Sequence, residues 1–214
     1  MKKYILFDLD GTLTDPGVGI TNSVAYALDH YGVKGYKRDD LFKFIGPPLK
    51  DSFMQFYNFP EDQAFEAIDV YREYFRDKGI FENEVYPKVP ETLTELRNRG
   101  YKLVIASSKP QEFVEIILNH FNLSSYFDFV SGATMDELTR ISKSQVIAWA
   151  LENMGITDTS EAYMVGDRLH DIEGAKNFNL ESIGCAYGYG GEEELEQAGA
   201  DHIINSFEEI LEIV

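Results

Sequence analysis

Hydrophobic and polar positions along the chain follow two rhythms. Tyr4-Ile5-Leu6-Phe7 is an unbroken apolar run that ends at Asp8 and Asp10, and it predicts a strand. Beyond it the spacing turns helical. Ile20, Val24, Ala27, Leu28 and Tyr31 recur at helical intervals up to Gly32, behind a start signal at Asp15-Pro16. Further helical stretches are predicted over 41–44, 49–57 and 61–78, separated by Gly46-Pro47-Pro48 and Asn58-Phe59-Pro60, with no convincing strand in this block. From about Val85 the two rhythms alternate. Helices over 89–99, 111–121, 143–154, 169–178, 192–198 and 207–213 interleave with strands over 102–107, 128–131, 162–165, 182–186 and 202–204. Such alternation implies right-handed crossovers and a mostly parallel sheet covered on both faces. Residues 1–14 and 85–214 are therefore expected to form an α/β core, with 15–84 inserted after the first strand as a small all-helical domain.

Composition narrows the partners. The 214-residue chain carries a formal net charge of −18 at pH 7 and no basic stretch, which argues against nucleic acid and anionic membranes. It has no run of about 18 uncharged apolar residues and no basic-then-apolar leader, so a cytoplasmic protein is expected. Its one cysteine, Cys185, lies in an apolar run and is expected to be buried. Oligomeric state, monomer or dimer, is not legible. If the ligand is an anion, a chain this acidic needs a local reversal of field from a divalent cation and well-placed lysines.

Ligands of open parallel sheets bind beyond the carboxyl ends of the strands, so the strand exits carry the candidate chemistry. Asp8 and Asp10 leave the first strand on the same side, because side chains alternate. Two anions that close read as half of a metal site or as an acid and nucleophile pair, although Asp and Gly also end strands as turn formers. The second strand exits into Ser107-Ser108-Lys109-Pro110, which offers hydroxyls, backbone N–H groups and an amine, all anion-binding parts and also a common loop composition. The fourth exits into Gly166-Asp167-Arg168-Leu169-His170-Asp171. On a helix starting there, Asp167 and Asp171 would share one face at a four-residue spacing, which a cation would relieve. Lys143 falls in the first turn of its predicted helix, where the macrodipole disfavours a cation, so a carboxylate or ligand partner is expected. Acidic pair, hydroxyl, lysine and second acidic pair thus follow one another in chain order.

In these four signatures, Asp8-Leu9-Asp10-Gly11-Thr12, Ser107, Lys143, and Gly166-Asp167 with Asp171, the chain resembles the haloacid dehalogenase-like hydrolases over nearly its whole length. The resemblance implies a Rossmann-like three-layer core with a helical cap and a Mg²⁺-dependent phosphoric monoester hydrolase of small phosphorylated metabolites. Val85-Tyr86-Pro87, Ser108-Lys109-Pro110 and Tyr187-Gly188-Tyr189-Gly190 lean toward its phosphoglycolate phosphatase-like branch. Alternatives are a 5′-nucleotidase-like phosphatase, a sugar-phosphate mutase of the β-phosphoglucomutase type, and a non-catalytic phosphate-ligand binding protein. True dehalogenases of this family lack the second aspartate, so Asp10 argues for phosphate chemistry. By the same resemblance Asp8 is the nucleophile, Asp10 the acid/base, and Asp8, the Asp10 carbonyl and Asp167 the Mg²⁺ ligands. Ser107 and Lys143 hold the phosphoryl group, and Asp171 supports Lys143 or a metal-bound water. The expected substrate-binding positions are Thr12, Gly46 of the Gly-Pro-Pro break, and Ser108 and Lys109 of the strand-exit loop. Arg168 departs from the small hydroxyl residues frequent at its position. In the cap, Lys43 and Lys50 are available for a substrate anion, and Phe42, Phe53, Phe56 and Tyr57 read as core.

Overall fold

The computed structural model describes residues 2–214. The first apolar run forms β1 (Tyr4–Phe7), whose Ile5, Leu6 and Phe7 are completely buried, as a strand covered on both faces must be. Its partners are β4 (Lys102–Pro110), β5 (Phe129–Ala133), β6 (Ala162–Gly166), β7 (Glu181–Cys185) and β8 (His202–Ile204), in the spatial order β5-β4-β1-β6-β7-β8. All five pairings are parallel. This is the parallel α/β core that the alternation predicts and the Rossmann-like fold that the resemblance implies. The chain builds β4 and β5 outward from one side of β1, then returns to place β6 on the other side. The strand order therefore reverses at β1, and the crevice beyond its carboxyl end is the topological switch point.

The intervening helices are α4 (Val89–Asn98), α5 (Gln111–His120), α6 (Lys143–Asn153), α7 (Leu169–Asn177) and α8 (Gly191–Ala198), with a last turn Ile210–Ile213. On one face Leu6, Val104, Ala106 and Met164 pack against Val146, Ile147, Ala150 and Leu151 of α6 and Ala175 of α7. Burying each of the valine, leucine, isoleucine and methionine side chains among them contributes roughly 1.5–3 kcal/mol relative to exposure. On the other face Phe7 meets Phe207 and Phe127, with ring centroids 5.8 and 6.3 Å apart.

The chain divides into two compact units: the core just described, which comprises the chain up to Thr14 and Val85–Val214, and the stretch Asp15–Glu84. The second unit contains α1 (Gly17–His30), α2 (Leu49–Tyr57) and α3 (Glu61–Asp77). Its core is aromatic: Phe53 is fully buried between Phe44 and Phe59, centroids 5.0 and 5.7 Å away. Phe42, expected inside, is 37% exposed. It lies on the 3₁₀ turn Arg38–Phe44, where the tighter winding moves side chains off the face an α-helix would give them.

Other departures are local. β2 (Thr14–Asp15) and β3 (Glu84–Val85) pair as two-residue strands, too short to leave a periodic signature. Strand β4 continues to Pro110, three residues beyond its expected end, because Pro110 aligns with Ala133 on β5 after a shift in register. The predicted helix over 207–213 divides into the 3₁₀ turn Phe207–Glu209 and the α-turn Ile210–Ile213.

Candidate active site

The parallel register sets Phe7 beside Ile105 on one side and Val165 on the other, so Asp8, Ala106 and Gly166 come next in line at the strand exits. The Asp8 N–H donates to the Val165 carbonyl at 2.9 Å, which continues the ladder and fixes where its side chain leaves. Asp8 Oδ1 accepts from the Leu9 N–H at 2.8 Å and lies 2.9 Å from Lys143 Nζ.

Lys143 stands at the first position of α6. Ser142 caps that helix: its hydroxyl accepts from the Gln145 N–H while the Gln145 side chain accepts from the Ser142 N–H. With the helix entry fixed, the lysine runs into the core. Its ammonium touches Asp8 Oδ1, Asp171 Oδ1 at 2.8 Å and the Ala106 carbonyl at 2.9 Å. The carbonyl contact is a hydrogen bond and the two carboxylate contacts are ion pairs. The carboxylate partner expected from the helix dipole is therefore doubled. A phosphoryl oxygen would have to displace one of these partners to receive a hydrogen bond from Lys143.

Asp167 and Asp171 do not share a helical face. Arg168 is extended (φ −121°, ψ 159°) and α7 begins only at Leu169, so Asp167 precedes the helix. Asp171 is its third residue and accepts from the Arg168 N–H at 3.0 Å, a capping contact. The loop, rather than a helical repeat, brings the two carboxylates together. Asp167 Oδ2 accepts from the Tyr189 N–H at 2.8 Å, and Oδ1 is buried with no hydrogen-bond partner among the described residues. Little else fits around Asp167. Gly11 has φ +80°, and a Cβ there or on Gly188 would collide with the Asp167 side chain.

Asp8, Asp167 and Asp171 each present a carboxylate oxygen within 4.8 Å of the other two, and all three are buried. Their three formal charges face one ammonium. Burial, with Asp171 and Asp8 adding to it, pushes Asp167 well above the ordinary carboxylate range. Asp171 is raised to about 6, mainly by burial and against the pull of Lys143. Burial alone would lower the Lys143 pKa, but Asp171 and Asp8 outweigh it and the amine is pushed up to about 12. The site is short of positive charge. A hard dication with oxygen ligands fits that deficit, the open Asp167 Oδ1 and the all-carboxylate donor set.

Asp10 stands apart from this group. Its Oδ2 lies 2.6 Å from Lys109 Nζ, both side chains being nearly buried, and its Oδ1 is buried without a hydrogen-bond partner among the described residues. Burial raises its pKa, with Lys109 opposing. Ser107 is 2% exposed, and its hydroxyl accepts from the Lys109 N–H at 3.3 Å. Ser108 is half-buried. Thr12 is fully buried, so its side chain belongs to the interior, while its carbonyl accepts from the Tyr187 hydroxyl at 2.8 Å. Gly46, Lys43 and Lys50 belong to the helical unit. There Lys50 pairs with Glu61 at 3.1 Å and Lys43 lies 4.4 Å from the centre of the Phe56 ring.

The Tyr187–Gly190 motif supplies two contacts that its resemblance did not assign, the Tyr187 hydroxyl on the Thr12 carbonyl and the Tyr189 N–H on Asp167. Both come from the loop after β7. The strand-exit rule applied to β7 would have pointed to that loop, but a hydroxyl bound to a main-chain carbonyl leaves no mark in sequence.

A parallel sheet with buried carboxylates and a lysine at its switch point is the framework of a phosphoryl- or acyl-transfer hydrolase. The chain matches the family model of haloacid dehalogenase-like hydrolases over residues 5–185, and it belongs to that family. It is 44% identical over 191 residues to a 5′-nucleotidase of Pseudomonas aeruginosa, covering 89% of this chain and 86% of that one. It is 34% identical over 210 residues to the pyrophosphatase PpaX of Bacillus velezensis, covering 98% and 94%. Among solved structures, a "predicted phosphatase" from Clostridium acetobutylicum superposes with a TM-score of 0.96 at 47% identity, covering 100% of this chain and 98% of that one. No helix among the described residues is long and apolar enough to cross a membrane.

Proposed function

We propose that this protein is a Mg²⁺-dependent phosphatase of small phosphate monoesters that works through an aspartyl-phosphate. The observation that carries this reading is the triad of buried carboxylates Asp8, Asp167 and Asp171, close enough to share an ion, with Lys143 paired to the first and last. In it Asp8 attacks phosphorus, the ester P–O bond breaks, and Asp10 gives its proton to the departing alkoxide. Asp10 then takes a proton from the water that attacks the aspartyl-phosphate, which releases inorganic phosphate and restores the Asp8 carboxylate. Asp8, Asp167 and the Asp10 carbonyl would hold the Mg²⁺. When bound, the ion offsets repulsion between Asp8 and the phosphoryl oxygens. Asp171 holds Lys143, whose charge acts on the phosphoryl group through space, and the Ser107 hydroxyl would donate to a phosphoryl oxygen.

For the substrate we rank 5′-nucleotides first, on the similarity to the Pseudomonas aeruginosa 5′-nucleotidase, with phosphoglycolate second on the Val85–Pro87 and Tyr187–Gly190 motifs. A panel of phosphate esters with Mg²⁺ or chelator tests both the reaction and the ranking. Inorganic phosphate released only with Mg²⁺ supports the reading, and no release from any ester overturns it. A requirement for a bisphosphate without net release marks a mutase instead. Asp8→Asn should keep the fold by circular dichroism and abolish turnover. Normal turnover in that variant removes Asp8 as nucleophile.

A further inference from the structure

Lys109 owes its position to a distortion of β4. Ala106 pairs with Ser131 and Pro110 with Ala133, so four steps along β4 match two along β5. The surplus chain, Ser107-Ser108-Lys109, must bulge, and a bulge re-aims the side chains it carries. The Lys109 N–H is tied to the Ser107 hydroxyl, and its ammonium reaches Asp10, three residues past the end of β1, with side-chain exposures of 7% for Lys109 and 12% for Asp10. An ammonium so placed does more than supply charge. It distinguishes the two oxygens of Asp10: Oδ2 accepts from Lys109, and Oδ1 has no hydrogen-bond partner among the described residues.

We propose that Lys109 is the positioning residue of the acid/base Asp10, pinning Oδ2 so that Oδ1 is the atom that delivers and later recovers the proton. This rests on the phosphatase reading above. An oxygen accepting from an ammonium is a poor site for a proton, so the carboxylic acid carries its hydrogen on Oδ1. That hydrogen goes to the ester oxygen as the P–O bond breaks, and Oδ1 later receives one proton from the attacking water. Lys109 keeps its own three protons throughout. The role differs from binding substrate, for which its amine at the strand exit makes Lys109 a candidate, and the two roles part experimentally.

The test compares Lys109→Met with Asp10→Asn on two monoesters with Mg²⁺: p-nitrophenyl phosphate, whose leaving group departs as an anion unaided, and a 5′-nucleoside monophosphate, whose alkoxide needs a proton. The ratio kcat/KM counts only the steps through departure of the leaving group. For Lys109→Met we expect kcat/KM to fall about 10²-fold or more on the nucleotide and less than about threefold on p-nitrophenyl phosphate. Because breakdown of the aspartyl-phosphate also needs Asp10, a burst of p-nitrophenol close to one per enzyme should precede slow turnover. Lys109→Gln, which keeps a donor to Oδ2, should show the same selectivity in weaker form and guards against misfolding of the methionine variant. An equal fall on both esters, carried by KM, would make Lys109 a phosphate ligand and overturn the proposal. If Asp10→Asn shows the selective loss and neither Lys109 variant does, only the role of Lys109 fails. If Asp10→Asn itself is unselective, the acid/base reading of Asp10 fails with it.

Discussion

Removing divalent cations should make the protein less stable as pH rises toward neutrality, and Asp171 allows the effect to be worked through. Its carboxyl titrates at about 6 in the folded protein, against an ordinary value of 3.8, because it is buried. Between those values the folded state binds more protons than the unfolded one, so stability falls with rising pH. The advantage of the folded state is fully present below pH 3.8 and is lost as the pH passes about 6, with a total near 3 kcal/mol at about 1.36 kcal/mol per unit. Roughly 2 kcal/mol of that loss falls between about pH 4.5 and 7.5. For a chain of this size it corresponds to a fall in Tm of about 4–8 °C. Asp167, raised in the same direction, adds to it. Thermal melts in chelator at the two pH values measure the fall. Asp171→Asn has no proton to lose and keeps one carbonyl oxygen, which serves the Arg168 N–H or Lys143 but not both, so its loss of stability between the two pH values should be smaller by about 2 kcal/mol. Mg²⁺ at a hundred times its Kd should restore about 2.7 kcal/mol near neutrality and much less at the acid end, where the ligands are protonated. A chelated protein equally stable at both pH values, or an Asp171→Asn variant with the parental slope, would refute the reasoning.

Three further outcomes follow from the geometry. Gly11→Ala places a Cβ against the Asp167 carboxylate at φ +80°, so urea unfolding should show a loss of about 2 kcal/mol or more, and the Tm gain on adding Mg²⁺ should shrink. Tyr187→Phe removes the hydroxyl that donates to the Thr12 carbonyl and should cost about 1 kcal/mol by the same measurement; an unchanged midpoint would show that the bond contributes nothing. Cys185 is fully buried and burial pushes its thiol pKa up, so a disulfide reagent should label the native protein only at the rate of unfolding, and prompt labelling would contradict its placement.

The amino-acid sequence alone determined the alternation of strands and helices, because apolar runs and helical spacing are local properties, and it identified the strand exits as the place for Asp8, Asp10 and Asp167. It also marked Lys143 as out of keeping with its helix terminus, a local electrostatic conflict visible without coordinates. Tertiary structure alone decided which charges pair. Lys143 takes Asp8 and Asp171, and Lys109 takes Asp10, since lysines about a hundred positions or more from Asp8 and Asp10 meet them only through the order in which strands are laid beside β1. The meeting of Asp167 and Asp171 is likewise tertiary: an extended Arg168 puts the first before the helix and the second inside its capping turn, where a helical repeat would have set them differently. The bulge that lifts Lys109 toward Asp10 exists because β5 pairs with Pro110, and the contact between Tyr187 and the Thr12 carbonyl exists because two loops close on each other. Local patterns encode the elements; the balance of buried charge emerges only once those elements exclude water around the same few side chains.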